Sequence, residues 1–231
     1  MNPVKRTTRI IHSFLKAYGP TSLKKYFWDK EYSSEMWHFA YNTKDDCVYS
    51  HLEKHAKNGR ILDLGCGSGN TSTELANTAY LSYIGIDVSE AALEKARTRS
   101  RECGRQDKNS FACSDFFSYE PKGKFDVILF RESMYHVPMG KIKAILDKYA
   151  KNLAEDGVFI VRLYSAGLDT PEEKRRPTAM LGIMEAEFDV IEKRQYSEAG
   201  RPTVLVFRPR RVAQPRLNAQ TETEETTRQT A

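Results

Sequence analysis

The chain of 231 residues has only four cysteines, Cys47, Cys66, Cys103 and Cys113, and no two of them stand in C-x-x-C spacing. That argues against the usual zinc patterns and against a disulfide framework, and it fits a reduced, cytoplasmic setting. Long apolar runs are missing too. No stretch approaches the roughly 18 unbroken apolar residues of a membrane span. The basic N-terminus "MNPVKRTTRIIHSFLKAYG" spreads its apolar residues at helical spacing, without the continuous h-region of a secretory signal. There is no dense basic stripe either. The formal net charge of +5 is modest, and basic residues gather only in "RPRR", "EKRRP" and "ARTRSRE". These read as solvated faces and a tail, so no nucleic-acid partner is expected. Internal repeats are absent, and no Gly-Lys-Ser/Thr follows the glycine-rich loop, so a P-loop is excluded.

What is present suits one α/β domain with an added element. Hydrophobic residues make up 40% and charged residues 29% of the chain, ordinary values for a globular protein. Residues 1–55 read as a helical cap rich in aromatics, with "RIIHSFLKAY" broken by "GPTS", and "TKDDCVYSHLEKHA" entered through a Thr or Asp cap. From Arg60 to residue 209 strands and helices alternate. "RILDLG", "YIGIDVS", "SFACSD", "KFDVILFRE" and "DGVFIVRLYS" read as strands, and "FDVIEKRQYS" with "RPTVLVFRP" as a closing pair. Helices are expected over "NTSTELANT", "SEAALEKARTRSRE" with Ser89 as N-cap, "MGKIKAILDKYAKNLA", and "PEEKRRPTAMLGIMEAE", where Pro177 argues against a continuous helix. The expected product is a doubly wound, mostly parallel seven-stranded sheet with an antiparallel edge. Residues 210–231, rich in Thr, Glu and Gln, are expected to form a disordered tail.

"ILDLGCGSGN" places Gly65, Gly67 and Gly69 on alternate positions where the first strand ends. Ligands of a doubly wound sheet sit at that end of the strands. Bare backbone there permits a sharp turn and close approach of a ligand, and the next helix points free N–H groups the same way. In the dinucleotide fingerprint G-x-G-x-x-G the third glycine falls one residue later, and here an acid, Asp63, precedes the loop.

The string D-x-G-x-G-x-G resembles motif I of the class I S-adenosylmethionine (SAM)-dependent methyltransferases, whose fold is Rossmann-like. "YIGIDVS" ending in an acid, "FACSD", "FDVILFRESMYHVP" and "LAEDGVFIVR" are similar to that family's later motifs in order, over about residues 60–208, with Asp156 standing where the family has a glycine. The resemblance implies SAM as cofactor and S-adenosylhomocysteine (SAH) as product. It implies that the backbone of Gly65, Cys66, Gly67 and Gly69 lies against the methionine part, and that Asp63 orients the loop or reaches the cofactor amine. Asp87 would hold the ribose hydroxyls, Val88 would pack on the adenine, Asp115 and Phe116 would read its edge, and Phe130 or Arg131 would offer a backbone carbonyl. His136, Tyr135 and Glu132 would face the acceptor as base, orienting group and amine binder, with helix packing the competing reading for His136. Arg162 and Tyr164 would contact the acceptor, and Tyr32 and Trp37 would form a lid.

The N-P-P-Y and D-P-P-Y signatures of amino methylation are absent, as is a Cys-Pro pair. The expected reaction is therefore N- or O-methylation of a small molecule, by a monomer or homodimer. A protein, peptide or RNA methyltransferase, a non-catalytic SAM-binding module and a nicotinamide oxidoreductase stand as alternatives.

Overall fold

The computed structural model describes residues 14–16, 18–34, 43–164, 171–197 and 201–210. Its centre is a seven-stranded sheet of β1 (Gly59–Leu64), β2 (Tyr80–Asp87), β3 (Asn109–Cys113), β4 (Phe125–Arg131), β5 (Leu153–Leu163), β6 (Asp189–Gln195) and β7 (Thr203–Arg208). The order is β3-β2-β1-β4-β5-β7-β6. The first five strands are parallel, and β7 lies antiparallel between β5 and β6. This is the doubly wound sheet with an antiparallel edge that the sequence predicts. Strand order reverses at β1, which pairs with β2 on one side and β4 on the other.

Both faces of the sheet are apolar, because strand residues alternate between two cores. Leu62, Leu64, Ile128, Phe130, Phe159 and Val161 pack toward α5 (Ile142–Ala150) and α6 (Pro171–Glu187). Ile61, Val127, Leu129, Val158 and Ile160 pack on the opposite face with Val48 and Leu52 of α2 (Val48–Ala56). A one-residue slip would exchange the two sets, so the alternation pins register.

Three local results differ from the sequence reading. The helix α3 is only Asn70–Glu74; Leu75 turns to extended backbone and is fully buried, ending it. Pro177 sits inside α6. Its cost, about 3 kcal/mol in a helix interior, is offset by burial of Met180, Leu181 and Met184 along the same helix. At α2 the N-cap position is Cys47, without a side-chain bond, and Asp46 one residue earlier accepts the Val48 N–H at 3.0 Å. Ser89 does cap α4 (Glu90–Glu102), accepting from Ala92 N. Of the expected cap, helix α1 (Thr21–Ser33) and α2 are described. Trp37 and the tail from residue 211 lie outside the described residues. Among the described residues no helix is long and apolar enough to cross a membrane.

Candidate active site

Strand alternation decides which side chains reach the carboxyl ends of β1, β2, β4 and β5. Continuing the period of two from the buried Ile61, Tyr83, Val127 and Val158 puts Asp63, Asp87, Arg131 and Arg162 on the α2 face of the sheet. The glycine loop lies among them. Gly65, Gly67 and Gly69 all have left-handed backbone, with φ of +86°, +53° and +76°, a region costly for residues with a Cβ. Space excludes a side chain as well. A Cβ on Gly65 would meet Ser133 Cβ at 2.5 Å, one on Gly67 would meet Tyr32 Oη at 2.6 Å, and one on Gly69 would meet Ala96 Cβ at 2.8 Å. The Gly65 and Cys66 N–H groups both donate to Ile86 O at 2.9 Å. Cys66 is buried, and burial pushes its thiol pKa up.

Three acids stand at successive strand ends. Asp63 is buried; one oxygen accepts from Tyr83 Oη at 2.6 Å, and the other, Oδ1, has no hydrogen-bond partner among the described residues. Burial raises its carboxyl to about 6. Asp87 accepts from Gly67 N at 2.9 Å and from Ser89 N at 2.9 Å. Burial raises it too, against the pull of those backbone donors. Asp115 is buried and accepts from Phe117 N at 2.7 Å and from Lys24 Nζ and Thr21 Oγ1 at 3.3 Å. Val88 is half-buried beside it in the chain after Asp87, and its carbonyl meets the Cys113 thiol. The Phe116 ring packs on Phe117 and Phe130, and its carbonyl accepts from Tyr149 Oη at 2.7 Å. Pairing of β1 with β4 stops at Asp63↔Leu129, so Phe130 and Arg131 pair only with β5.

The loop after β4 forms the second half of the site. Glu132 takes left-handed backbone, φ +56°. Burial lifts its carboxyl to about 7, although Arg162 Nη1 donates to it at 2.7 Å. Tyr135 Oη donates to Tyr164 O at 2.9 Å. The Arg162 guanidinium lies 4.0 Å from the Tyr164 ring centroid and 3.0 Å from Asp46, so it is already engaged. His136 meets Trp28 edge-on at 5.0 Å. Burial, with the charges of Lys16, Arg176 and Lys24, lowers its imidazole to about 4, so it is neutral at pH 7.

Helix α1 lies across both halves. Its residues at i, i+4 and i+8 share one face. Lys24 reaches Asp115 after β3, Trp28 meets His136 after β4, and Tyr32 covers Gly67 after β1. Asp29, on the neighbouring ridge, accepts from Ser89 Oγ at 2.8 Å and Ala91 N at 3.1 Å at the start of α4. Lys16 Nζ sits 3.4 Å from the Trp28 ring centroid and pairs with Glu31 at 2.7 Å. The sequence points to the aromatic segment that holds Trp28 and singles out Tyr32, but it does not bring out Lys24, Asp29 and Asp46 as parts of the site. The i, i+4 spacing of Lys24, Trp28 and Tyr32 was the available signal; for Asp46 there was none, since its partners are 85 and about 116 residues away.

The acceptor groups fit the adenosyl cofactor. Each of the three acids can accept hydrogen bonds, and Asp63 Oδ1 is a buried acceptor still lacking a donor. A cofactor amine or hydroxyl supplies donors of that kind.

The comparisons agree. Residues 55–200 match the family model described as a methyltransferase domain. A protein-lysine N-methyltransferase of Saccharomyces cerevisiae, EFM4, is 28% identical over 166 residues, covering 59% of this chain and 72% of that protein. A ubiquinone biosynthesis O-methyltransferase of Aromatoleum aromaticum is 38% identical over 79 residues, 34% of this chain and 33% of its own length. Among solved structures, the N-methyltransferase NodS of Bradyrhizobium japonicum in complex with SAH superposes with a TM-score of 0.60 at 19% identity, covering 79% of this chain and 98% of that one. The chain belongs to this methyltransferase-domain family and is a class I SAM-dependent methyltransferase with a methyl acceptor as its second substrate.

Proposed function

We propose that the acceptor is a small molecule carrying a nucleophilic nitrogen or oxygen, with an amine favoured, and that SAH is the second product. The observation that supports this most directly is Glu132, a half-buried carboxyl in the loop after β4, raised to about 7 by burial and flanked by Tyr135, Tyr164 and Arg162. A carboxylate tuned to neutrality can hold an ammonium and can also take its proton.

In this reading the Gly65–Gly69 backbone and Asp63 hold the methionine part of the cofactor, Asp87 the ribose, and Val88, Asp115 and Phe116 the adenine. Phe130 and Arg131 contribute backbone carbonyls. Bound SAM would supply a methyl group already activated on a sulfonium. The protein's share is then alignment and exclusion of water. Holding two reactants in line is worth on the order of 7–11 kcal/mol. Trp28 and Tyr32 exclude water from above, and an aromatic face favours a nearby cation by about 0.5–2 kcal/mol. His136, lowered to about 4, is a weak base and serves better as a neutral wall or hydrogen-bond partner. Tyr135 and Tyr164 position the acceptor. Arg162 acts on it through Glu132, because its own guanidinium is already paired.

A second reading takes a protein lysine as acceptor. The yeast relative named a protein-lysine N-methyltransferase favours it, and a lysine amine needs the same Glu132 chemistry. Methyl transfer from isotope-labelled SAM to three panels tests both: small amines and phenols, lysine-containing peptides and proteins, and RNA. Label on small amines or phenols alone supports the first reading, and label on lysine alone replaces it by the second. Salt-sensitive label on RNA alone overturns both.

A further inference from the structure

Arg131 and Arg162 are register partners on adjacent strands, and both direct their guanidinium groups at one carboxylate. Arg131 Nε and Nη2 donate to Asp46 Oδ2 at 3.1 and 2.7 Å. Arg162 Nε lies 3.0 Å from Asp46 Oδ1. The other arm of Arg162, Nη1, donates to Glu132 Oε1 at 2.7 Å. Four charges thus run in a chain, Arg131–Asp46–Arg162–Glu132. Asp46 and Arg162 are each 5% exposed at the side chain, while Glu132 is 29% exposed. The open end of the chain is Glu132.

Charge balance gives the arrangement a consequence. Two buried guanidinium groups face one buried carboxylate, and a buried charge left unpaired is costly. Glu132, bonded to Arg162, and Asp63, whose carboxyl feels the Arg131 charge, are the acids placed to offset the remainder. Arg162 divides its attraction between Asp46 and Glu132, so what Asp46 takes Glu132 loses. The groups around Glu132 are Arg162 of β5, Tyr164 just after it, Tyr135 of the turn Met134–His136, and Arg131 of β4 with Asp46 behind it. Tyr49 of α2 lies beside Arg131, its ring centroid 5.3 Å from the guanidinium carbon.

We propose that Asp46 is a positioning residue for methyl transfer: by bridging Arg131 and Arg162 it sets how firmly Arg162 holds Glu132 ionised, and so which charge Glu132 presents to the acceptor. The link to transfer rests on the reading that Glu132 faces the acceptor; the electrostatic coupling stands without it. Through its carboxylate Asp46 meets Arg131, Arg162 and the Val48 N–H. Its backbone is fixed separately, with its N–H donating to Thr43 O at 2.9 Å, while Thr43 Oγ1 donates to Glu74 at 2.5 Å.

The test is a carboxyl titration of the full chain labelled with 13C at glutamate side-chain carboxyls. The Glu132 resonance is assigned by its loss in Glu132→Gln. Asp46→Asn removes the competing anion, so the Glu132 midpoint should fall by about one pH unit. Arg131→Gln removes a cation and leaves Asp46 to draw on Arg162 alone, so the midpoint should rise by a similar amount. Opposite shifts support the proposal, because a general loosening of the fold would move both variants the same way. An unchanged midpoint in Asp46→Asn, or shifts of the same sign, overturns it. If Asp46→Asn does not fold, the direction in Arg131→Gln decides. Calorimetric titration of wild type with SAH separates the two levels: failure to bind SAH would strike the cofactor assignment, while the carboxyl titration would still read the coupling.

Discussion

The Tyr32 hydroxyl of helix α1 stands over Gly67: a Cβ there would meet it at 2.6 Å. Gly67 is thus held bare from two sides, by its φ of +53° and by a side chain from another helix. Gly67→Val should abolish measurable SAH binding by calorimetry. Gly67→Val combined with Tyr32→Phe should not restore it, because the backbone strain remains. Recovery in the double variant would mean that Tyr32 alone keeps the position bare.

Asp87 accepts from both Gly67 N and Ser89 N. Asp87→Ala should weaken SAH binding at least tenfold. Two N–H groups lose their acceptor, worth about 1–3 kcal/mol, so the melting temperature should fall by roughly 2–10 °C while the protein stays folded. Equal SAH affinity in mutant and wild type would sink the ribose assignment.

Ser89→Ala removes both the cap of α4 and the hydroxyl that donates to Asp29 of α1. The cap is worth about 1 kcal/mol. Limited proteolysis should then cut faster after Lys24, Lys25 or Lys30 than in wild type. An unchanged cleavage rate would show that α1 is held by its other contacts.

His136 and Asp63 pull stability in opposite directions with pH. The His136 pKa is lowered to about 4 by burial, below its unfolded value of about 6.5. Between those values the unfolded state binds more protons, so its contribution to stability grows as pH rises. Asp63, raised to about 6 by burial, sits above the unfolded carboxylate value of about 3.9. There the folded state binds more protons, and stability is lost as pH rises from about 4 to 6. Replacing His136 with Asn should therefore cost about 3 kcal/mol more at pH 7 than at pH 4, measured by urea denaturation. A pH-independent difference would show that folding leaves the imidazole pKa unshifted.

The alternation of apolar strands with capped helices was enough to read the sheet and its antiparallel edge, because each buried strand carries its own pattern. The acids at the strand ends were legible for the same reason: Asp63, Asp87 and Asp115 each close a short apolar run. What stayed hidden depends on distance along the chain. Nothing near Asp46 in sequence announces that two arginines 85 and about 116 residues away converge on it. Arg162 reads as an acceptor contact because Asp46 and Glu132, which engage it, lie far from it in the chain. Pro177 argued locally against a helix that packing of Met180 and Met184 sustains.

Lys24, Trp28 and Tyr32 lie on one rigid rod, and eight residues of helix span about 12 Å. A helix does not bend freely over two turns, so its ends move together. Any displacement of the helix as one body would therefore change the cover of Asp115 at one end, Gly67 at the other and His136 between them together. A change at Lys24 is then a change to the same rigid body that carries Tyr32.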